Sequence, residues 1–265
     1  MTPPTPRRLL SLAAGTVLDL TPEATVDAAA TAGFGAAGIW YDPDTWTPAR
    51  TRAVTDRLRA TGLTALDIEA VILGRGADPG DAMVDVAAEI GARHVLVAGG
   101  SAEPAAVADR FAELCDRAAP AGTVVVLEFL PIFTVGTLEA ALRIVTQTAR
   151  PNGAILVDSL HLSRSGGLPA DLRPVPRGLL PYIQIADAPA AVPSTKDALR
   201  EEALHGRLLP GDGVLPLVDL LGEVPEVPLS VELRSRALMN AHPDPVQRAQ
   251  AVYEASERLL GETEA

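Results

Sequence analysis

Short apolar runs alternate along the chain with segments whose apolar residues recur at helical spacing. The apolar runs predict strands that begin near residues 9, 36, 63, 94, 124, 154, 182 and 228. Thr-Pro pairs and glycines delimit the helices predicted between them, which cover residues 22–32, 48–60, 81–90, 104–119 and 137–148. The sixth strand is predicted to run through the whole of AILVDSLHL, residues 154–162. This alternation of strands and helices is typical of a parallel sheet.

Eight such units predict an α/β fold, a (β/α)8 TIM barrel that forms a single domain over residues 1–265. A doubly wound open sheet is the alternative, but the AGGSAEP turn after the fourth strand lacks the glycine spacing of a nucleotide-binding loop. Residues 186–213 are predicted to form an extended loop with at most one helical turn. Because barrel active sites lie at the carboxyl ends of the strands, this loop is a candidate lid. A solvated or oligomer-contacting loop is the other interpretation.

Polar residues interrupt or end four consecutive apolar strands, the fifth to the eighth. They are Glu128, Asp158, Gln184 and Glu232. One such residue alone is usually satisfied by solvent or a neighbouring amide, but four at corresponding places should converge at the mouth of the barrel. Carboxylates held together in a dry site repel one another and raise each other's pKa unless a cation lies among them.

The four oxygen-bearing side chains therefore predict one divalent metal ion. Carboxylate and amide oxygens suit Mn²⁺ or Mg²⁺, with Co²⁺ as a substitute. Zinc prefers histidine or cysteine ligands, and none of these four residues supplies one.

Further side chains near the predicted mouth are candidates for catalysis or substrate binding. His161 follows Asp158 by three residues and is a candidate for proton transfer, with a surface histidine as the alternative. Three arginines are candidates for binding an anionic or hydroxyl-bearing substrate, although arginines in loops are often only solvated. They are Arg164, Arg207 and Arg234. Asp67 and Glu69, in the third strand, would also reach the mouth in one of the two strand registers.

Charge and composition narrow the range of partners. The net charge is −12 and Lys196 is the single lysine, which argues against nucleic-acid binding. No apolar run is long enough for a membrane span, and the expected location is cytoplasmic. Arg7-Arg8 followed by LLSLAAGTVL imitates a short signal peptide, but this stretch is interpreted as the first strand of the barrel. The predicted partner is a small molecule, and a homo-oligomer is compatible with the sequence.

With these residues in hand, the chain resembles the xylose-isomerase-like barrel superfamily, which holds sugar phosphate isomerases and epimerases, inosose dehydratases and 3-dehydroshikimate dehydratases. The motifs that carry the resemblance are EFLP, DSLHLSR, QIAD, RLLPGDG and SVELR. The resemblance implies that the four strand-end residues bind one divalent metal and that His161 lies beside the substrate. Many members have histidine at the position of Gln184, whereas some 3-dehydroshikimate dehydratases keep glutamine there.

The first functional hypothesis is a metal-dependent isomerase or epimerase of a small sugar, sugar phosphate or keto-polyol. In that reaction Glu128 and Glu232 would act as base and acid from opposite sides of the substrate. The alternative is a dehydratase of 3-dehydroshikimate or an inosose, with His161 as the general base. A ligand-binding barrel without catalysis is a third hypothesis. The endonuclease branch of the superfamily is disfavoured by the acidic charge and by four scattered histidines, too few for a multi-zinc cluster.

Overall fold

Eight parallel strands form a closed barrel in the computed structural model, which describes residues 8–263. Each strand pairs with its sequence neighbours, and the first strand closes the ring against the last. The strands are Leu10–Leu12 (β1), Ala36–Trp40 (β2), Thr64–Ile72 (β3), His94–Ala98 (β4), Val124–Glu128 (β5), Gly153–Asp158 (β6), Ile183–Ile185 (β7) and Leu229–Val231 (β8). The predicted TIM barrel fold is confirmed.

Ten α-helices connect or follow these strands within residues 8–263. They are Pro22–Ala32 (α1), Pro48–Thr61 (α2), Gly80–Ile90 (α3), Pro104–Ala118 (α4), Leu138–Thr148 (α5), Ser159–Arg164 (α6), Lys196–His205 (α7), Leu217–Glu223 (α8), Arg236–Ala241 (α9) and Pro245–Thr263 (α10). Helices α6, α8, α9 and α10 are additions to the helices predicted from the sequence. None of the helices in the described part of the chain is both long and apolar enough to cross a membrane.

The ends of the early helices follow the local signals in the sequence. Thr21 and Thr47 accept hydrogen bonds from backbone amides of the first turns of α1 and α2, and a proline follows each threonine. Gly33, Gly62 and Gly91 adopt left-handed conformations just after α1, α2 and α3. These local signals explain why the helix bounds could be predicted closely.

The sequence prediction is wrong at two places near the barrel mouth. The sixth strand stops at Asp158 instead of running through residue 162, because the Asp158 carboxylate accepts hydrogen bonds from the backbone amides of Leu160 (2.7 Å) and His161 (3.1 Å) and so caps α6. The loop at residues 186–213 contains the ten-residue helix α7 instead of at most one turn. Thr195 caps that helix, accepting from the Ala198 amide at 3.2 Å.

Two hydrophobic layers separate the inside of the barrel from its outside. The larger layer lies between the strands and the helices, and it takes alternate strand residues such as Val125 and Leu127. The smaller layer fills the barrel interior and includes Leu96, Val126 and Tyr182. Since side chains alternate along a strand, Glu128 shares the inward face with Val126 and lies one layer closer to the mouth. The alternation therefore directs the carboxylate into the barrel.

Candidate functional site

The polar residues predicted at the strand ends come together at the carboxyl end of the barrel. Glu128 ends β5, Asp158 ends β6, Gln184 lies in β7 and Glu232 directly follows β8. Asp158 and Gln184 are direct partners in the β6–β7 pairing. Glu128, Gln184 and Glu232 line a cavity of about 150 Å³, whereas Asp158 is fully buried behind it. The barrel geometry thus gathers residues that are up to 104 positions apart along the chain, from 128 to 232.

His161 lies in the same wall of this cavity, on the first turn of α6. Its Nε2 atom is 3.9 Å from Oε1 of Glu128. Glu128, Asp158 and His161 each offer a ligand atom within 4.8 Å of the other two, so these three residues could hold a metal ion. The sequence had placed His161 beside the metal ligands and had not proposed it as a ligand.

Arg207 lies at the centre of the acidic cluster and is buried. Its Nη1 donates to Oδ2 of Asp158 at 2.6 Å and to the backbone carbonyl of Glu232 at 3.2 Å. Its Nη2 is 3.1 Å from Oε2 of Glu232, and its Nε donates to the carbonyl of Ala203 in α7. The arginine predicted to bind substrate therefore already binds two of the predicted metal ligands.

Burial and neighbouring charges set the protonation of this cluster. Burial raises the pKa of Glu128 well above its ordinary value, and the charges of Asp158 and Glu232 raise it further. Burial also opposes ionisation of Asp158, but Arg207 and His161 lower its pKa below the ordinary value. The pKa of Arg207 is raised because Asp158 and Glu232 outweigh the effect of its burial.

A divalent cation fits the residues of this site on two observations. Both polar atoms of the Gln184 side chain are buried and have no hydrogen-bond partner in the described part of the chain, which is costly unless a ligand occupies the site. The three carboxylates of Glu128, Asp158 and Glu232 and the single guanidinium of Arg207 carry, when all are ionised, three negative charges and one positive, a sum of −2. A divalent ion balances that sum, and it would share the Asp158 and Glu232 carboxylates with Arg207.

Gly15 provides the space in which Glu232 lies. A Cβ atom added at Gly15 would lie 2.4 Å from Oε1 of Glu232, which is closer than a Cβ atom comes to a non-bonded atom in real structures. We expect Gly15→Ala to displace the Glu232 carboxylate and to weaken Mn²⁺ binding by roughly tenfold or more, measured by isothermal titration calorimetry. Gly178→Ala is the matched control, because Gly178 also lies in a short 3-10 helix and a Cβ there meets no atom within 4 Å. Equal Mn²⁺ affinity in both variants would contradict this role for Gly15.

The other two predicted substrate-binding arginines differ in position. Arg234 lines the cavity, as predicted for a residue that meets substrate. Arg164 points away from that cavity, and its guanidinium donates two hydrogen bonds of 2.8 Å to the carboxylate of Glu202 in α7 and one to the Pro189 carbonyl. Instead of lining the cavity, Arg164 therefore forms a buried ion pair that joins α6 to α7.

Two acidic residues of β3 extend the polar interior of the barrel. Glu69 lines the cavity, and Asp67 lies deeper and is fully buried. Gly38 on β2 makes room for Asp67, because a Cβ there would lie 2.7 Å from Oδ1 of Asp67. The register of these residues could not be determined from the sequence. In the structure, the pairing of β3 with β2 and with β4 shifts in register within the strand.

Asp67 is expected to make the stability of the protein depend on pH. Burial raises its pKa from 3.8 to about 6, and the charge of Glu232 adds to the effect. The folded state therefore holds this proton more tightly than the unfolded chain, so the contribution is present below pH ~4 and lost as the pH rises to about 6. We expect Asp67→Asn to reduce the loss of unfolding free energy between pH 4 and pH 7 by up to about 3 kcal/mol.

Urea denaturation at the two pH values, with a chelator present, measures this difference. Asp56→Asn is the control, because Asp56 is exposed on the surface of α2 and its replacement should leave the pH dependence unchanged. The same pH dependence in Asp67→Asn and in the unmodified protein would show that Asp67 is not the responsible group.

A closed barrel with an acidic cluster and a buried histidine at the carboxyl ends of its strands belongs to the class of TIM barrel proteins, whose functional sites lie at this end of the barrel. The sequence profile of the xylose isomerase-like TIM barrel family matches residues 26–257, and the chain belongs to this family. The resemblance inferred from the sequence motifs is thereby confirmed.

Similar proteins of known identity include enzymes. A 3-dehydroshikimate dehydratase of Pseudomonas aeruginosa is 32% identical over 158 residues, which are 57% of this chain and 24% of that protein. This chain thus matches about a quarter of the length of its curated relative. The IOLI protein, whose crystal structure contains a zinc atom, is 19% identical with a TM-score of 0.83 over 96% of this chain and 99% of that one. A D-allulose 3-epimerase from a Methylomonas species is 18% identical with a TM-score of 0.67, over 96% and 99% of the two chains.

Two of these similar proteins are enzymes by name, a dehydratase and an epimerase. The similar proteins also include a metal-bound protein, in which the ion is zinc.

Proposed function

We propose that this protein is a divalent-metal-dependent dehydratase that removes a proton next to a carbonyl group and eliminates the β-hydroxyl, as in a 3-dehydroshikimate dehydratase. The observation that carries the proposal is the state of His161. Its Nε2 lies 3.5 Å from Arg207 Nη2, and because a guanidinium can only donate, this contact favours the tautomer in which Nε2 carries no proton. The name of the curated relative supports the same reaction.

His161 is suited to act as the general base. Burial lowers its pKa to about 4, and the charge of Arg207 adds to this effect while Asp158 opposes it. The imidazole is therefore neutral at pH 7 and able to accept a proton. The Asp158 carboxylate fixes the first turn of α6, through the backbone amides of Leu160 and His161, and thereby holds the ring in the cavity wall.

The remaining residues of the site would bind the metal ion and orient the substrate. Glu128, Asp158, Gln184 and Glu232 would hold the metal ion. When bound, a divalent ion would supply Lewis-acid stabilisation of the negative charge that develops on a substrate carbonyl oxygen. The oxygen ligands favour Mn²⁺ or Mg²⁺, with Co²⁺ as a substitute. Arg207 favours the ionised form of Asp158 and holds the Asp158 and Glu232 carboxylates in place, and Arg234 at the cavity wall would bind an acidic group of the substrate.

Helix α7 and its flanking residues cover one side of the cavity. Arg200, Ala203 and Leu204 of this helix line the cavity together with Arg207. We retain the proposal that residues 186–213 act as a lid, because this segment brings Arg207 into the acidic cluster and would exclude water from the bound substrate.

The test is an assay with 3-dehydroshikimate after loading with Mn²⁺, in which the conjugated product is followed by its ultraviolet absorbance. We expect turnover that is lost after chelation and recovered with Mn²⁺. A panel of ketoses is assayed beside it. Turnover of a ketose together with no reaction of 3-dehydroshikimate would overturn the dehydratase proposal.

An epimerase is the second candidate, and one observation favours it. Glu128 and Glu232 both line the cavity and come from strands that are three positions apart in the ring, so they approach a bound ligand from different sides. Glu232 is less free than Glu128 to turn toward a substrate, because its carboxylate is held 3.1 Å from the Arg207 guanidinium. That ion pair is the reason for placing the epimerase second.

A further inference from the structure

Glu69 is a buried acidic residue of the cavity that the proposed metal site does not use. Its side chain lines the cavity, yet the residue is only 3% exposed. The carboxyl atom Oε1 is buried and has no hydrogen-bond partner among residues 8–263. A buried carboxyl oxygen without a partner next to a ligand cavity is costly in the free protein, and a bound ligand would supply the missing contact.

The barrel geometry places Glu69 across the cavity from His161. Glu69 belongs to β3 and His161 follows β6, and these strands are three positions apart in a ring of eight. The strand partner of Glu69 is Trp40 at the end of β2, which also lines the cavity. A ligand between the two sides would therefore have His161 on one face and Glu69 on another.

The surroundings of Glu69 favour its neutral, proton-bearing form. Burial raises the pKa of Glu69 well above its ordinary value, and the charges of Asp67 and Glu232 raise it further. The Gly15 backbone amide and the charge of Arg234 act in the opposite direction and are smaller influences than burial. A carboxylic acid in this state is a hydrogen-bond donor, a capacity that a carboxylate holding a metal ion lacks.

We propose that Glu69 is the general acid that protonates the departing hydroxyl in the elimination. This inference rests on the proposed dehydratase function and adds a catalytic residue to it. Proton removal by His161 leaves the electron pair of the C–H bond on the enolate. That pair then forms the new C=C bond as the C–O bond breaks, and the Glu69 proton joins the departing oxygen to give water. Glu69 ends as a carboxylate and His161 as an imidazolium, and return of one proton from His161 to Glu69 through water restores both.

This division of roles separates two measurable steps. Removal of the proton next to the carbonyl depends on His161 and can be followed as exchange of that hydrogen for deuterium in D₂O. Loss of the hydroxyl depends on Glu69 and is followed by the ultraviolet absorbance of the product. Glu69→Gln is close in shape to the native residue but cannot supply an acidic proton, so it should slow the second step and spare the first.

The experiment uses the Mn²⁺-loaded full chain with 3-dehydroshikimate in D₂O. We expect Glu69→Gln to lower the dehydration kcat by roughly 10²–10⁴-fold, the usual contribution of general acid catalysis. Unreacted substrate recovered from the variant should carry deuterium next to its carbonyl. His161→Ala should lose both exchange and dehydration. Circular dichroism and Mn²⁺ titration establish that each variant is folded and loaded.

Glu139→Gln is the matched control, because it makes the same change at an exposed glutamate of α5 that does not line the cavity. Its dehydration rate should equal that of the unmodified protein. Dehydration at the unmodified rate in Glu69→Gln would overturn the inference, as would loss of Mn²⁺ binding, which would make Glu69 a metal ligand. If the unmodified protein does not dehydrate 3-dehydroshikimate, the proposed function itself fails, which is a separate result.

Discussion

Replacing Arg207 by leucine is expected to lower the free energy of unfolding by about 3–5 kcal/mol, because it leaves buried carboxylates without their cation. Arg207 binds Asp158 at 2.6 Å and Glu232 at 3.1 Å, and it is almost fully buried. Its side chain also joins α7 to the barrel through the Ala203 carbonyl. Urea denaturation in the presence of a chelator measures the loss. Arg200→Leu is the control, because it replaces an exposed arginine of α7, and it should change the free energy of unfolding by less than about 0.5 kcal/mol.

The same variant tests whether the cluster holds a divalent ion. Without Arg207 the ionised cluster has a charge of −3 instead of −2, so added Mn²⁺ should stabilise Arg207→Leu against urea by more than it stabilises the unmodified protein. Arg207→Lys, which keeps the charge but not the forked hydrogen bonds, should be intermediate in stability. A loss of less than about 1 kcal/mol in Arg207→Leu would show that the ion pairs contribute little to stability.

His161→Ala is expected to lower kcat by about 10²–10⁴-fold because it removes the general base. Glu128→Gln should also abolish turnover, but for a different reason, since it removes a metal ligand and should weaken Mn²⁺ binding by tenfold or more. Measurement of kcat together with Mn²⁺ affinity separates the two roles. His205→Ala, which alters an exposed histidine of α7, is the control for the general effect of losing an imidazole.

Two outcomes would change the assignment of His161. Full activity of His161→Ala would exclude it as the base. Loss of Mn²⁺ binding in that variant would make it a metal ligand, as its position within 4.8 Å of Glu128 and Asp158 allows.

The barrel and the position of its acidic residues could be predicted from the sequence because both depend on local periodicity. The alternation of apolar strands and amphipathic helices determines the fold class, and the place of Glu128 at the end of VVVLE determines which edge of the barrel it reaches. The sixth strand was predicted too long because SLHL is apolar enough for a strand. The hydrogen bonds that end it depend on the Asp158 side chain, and strand periodicity does not indicate that this side chain caps a helix.

Contacts between distant residues could not be predicted in the same way. Arg207 meets Asp158 across 49 residues of chain, and nothing in RLLPGDG indicates which carboxylate the guanidinium binds. The inward direction of Glu69 depends on register changes of β3 against β2 and β4. A change of one residue in register reverses the face on which a side chain lies, so strand periodicity alone leaves its direction undetermined.

The buried ion pair between Arg164 and Glu202 has a mechanical consequence. Arg164 ends the short helix that carries His161, and Glu202 belongs to the helix that leads to Arg207. The Pro189 carbonyl, which accepts from Arg164 at 2.9 Å, ties the start of the same segment to this pair. The segments that carry His161 and Arg207 are therefore joined by this ion pair. Any displacement of α7 that admits a ligand would pull on both at once, so an open cavity would have a disassembled site and a closed cavity an assembled one.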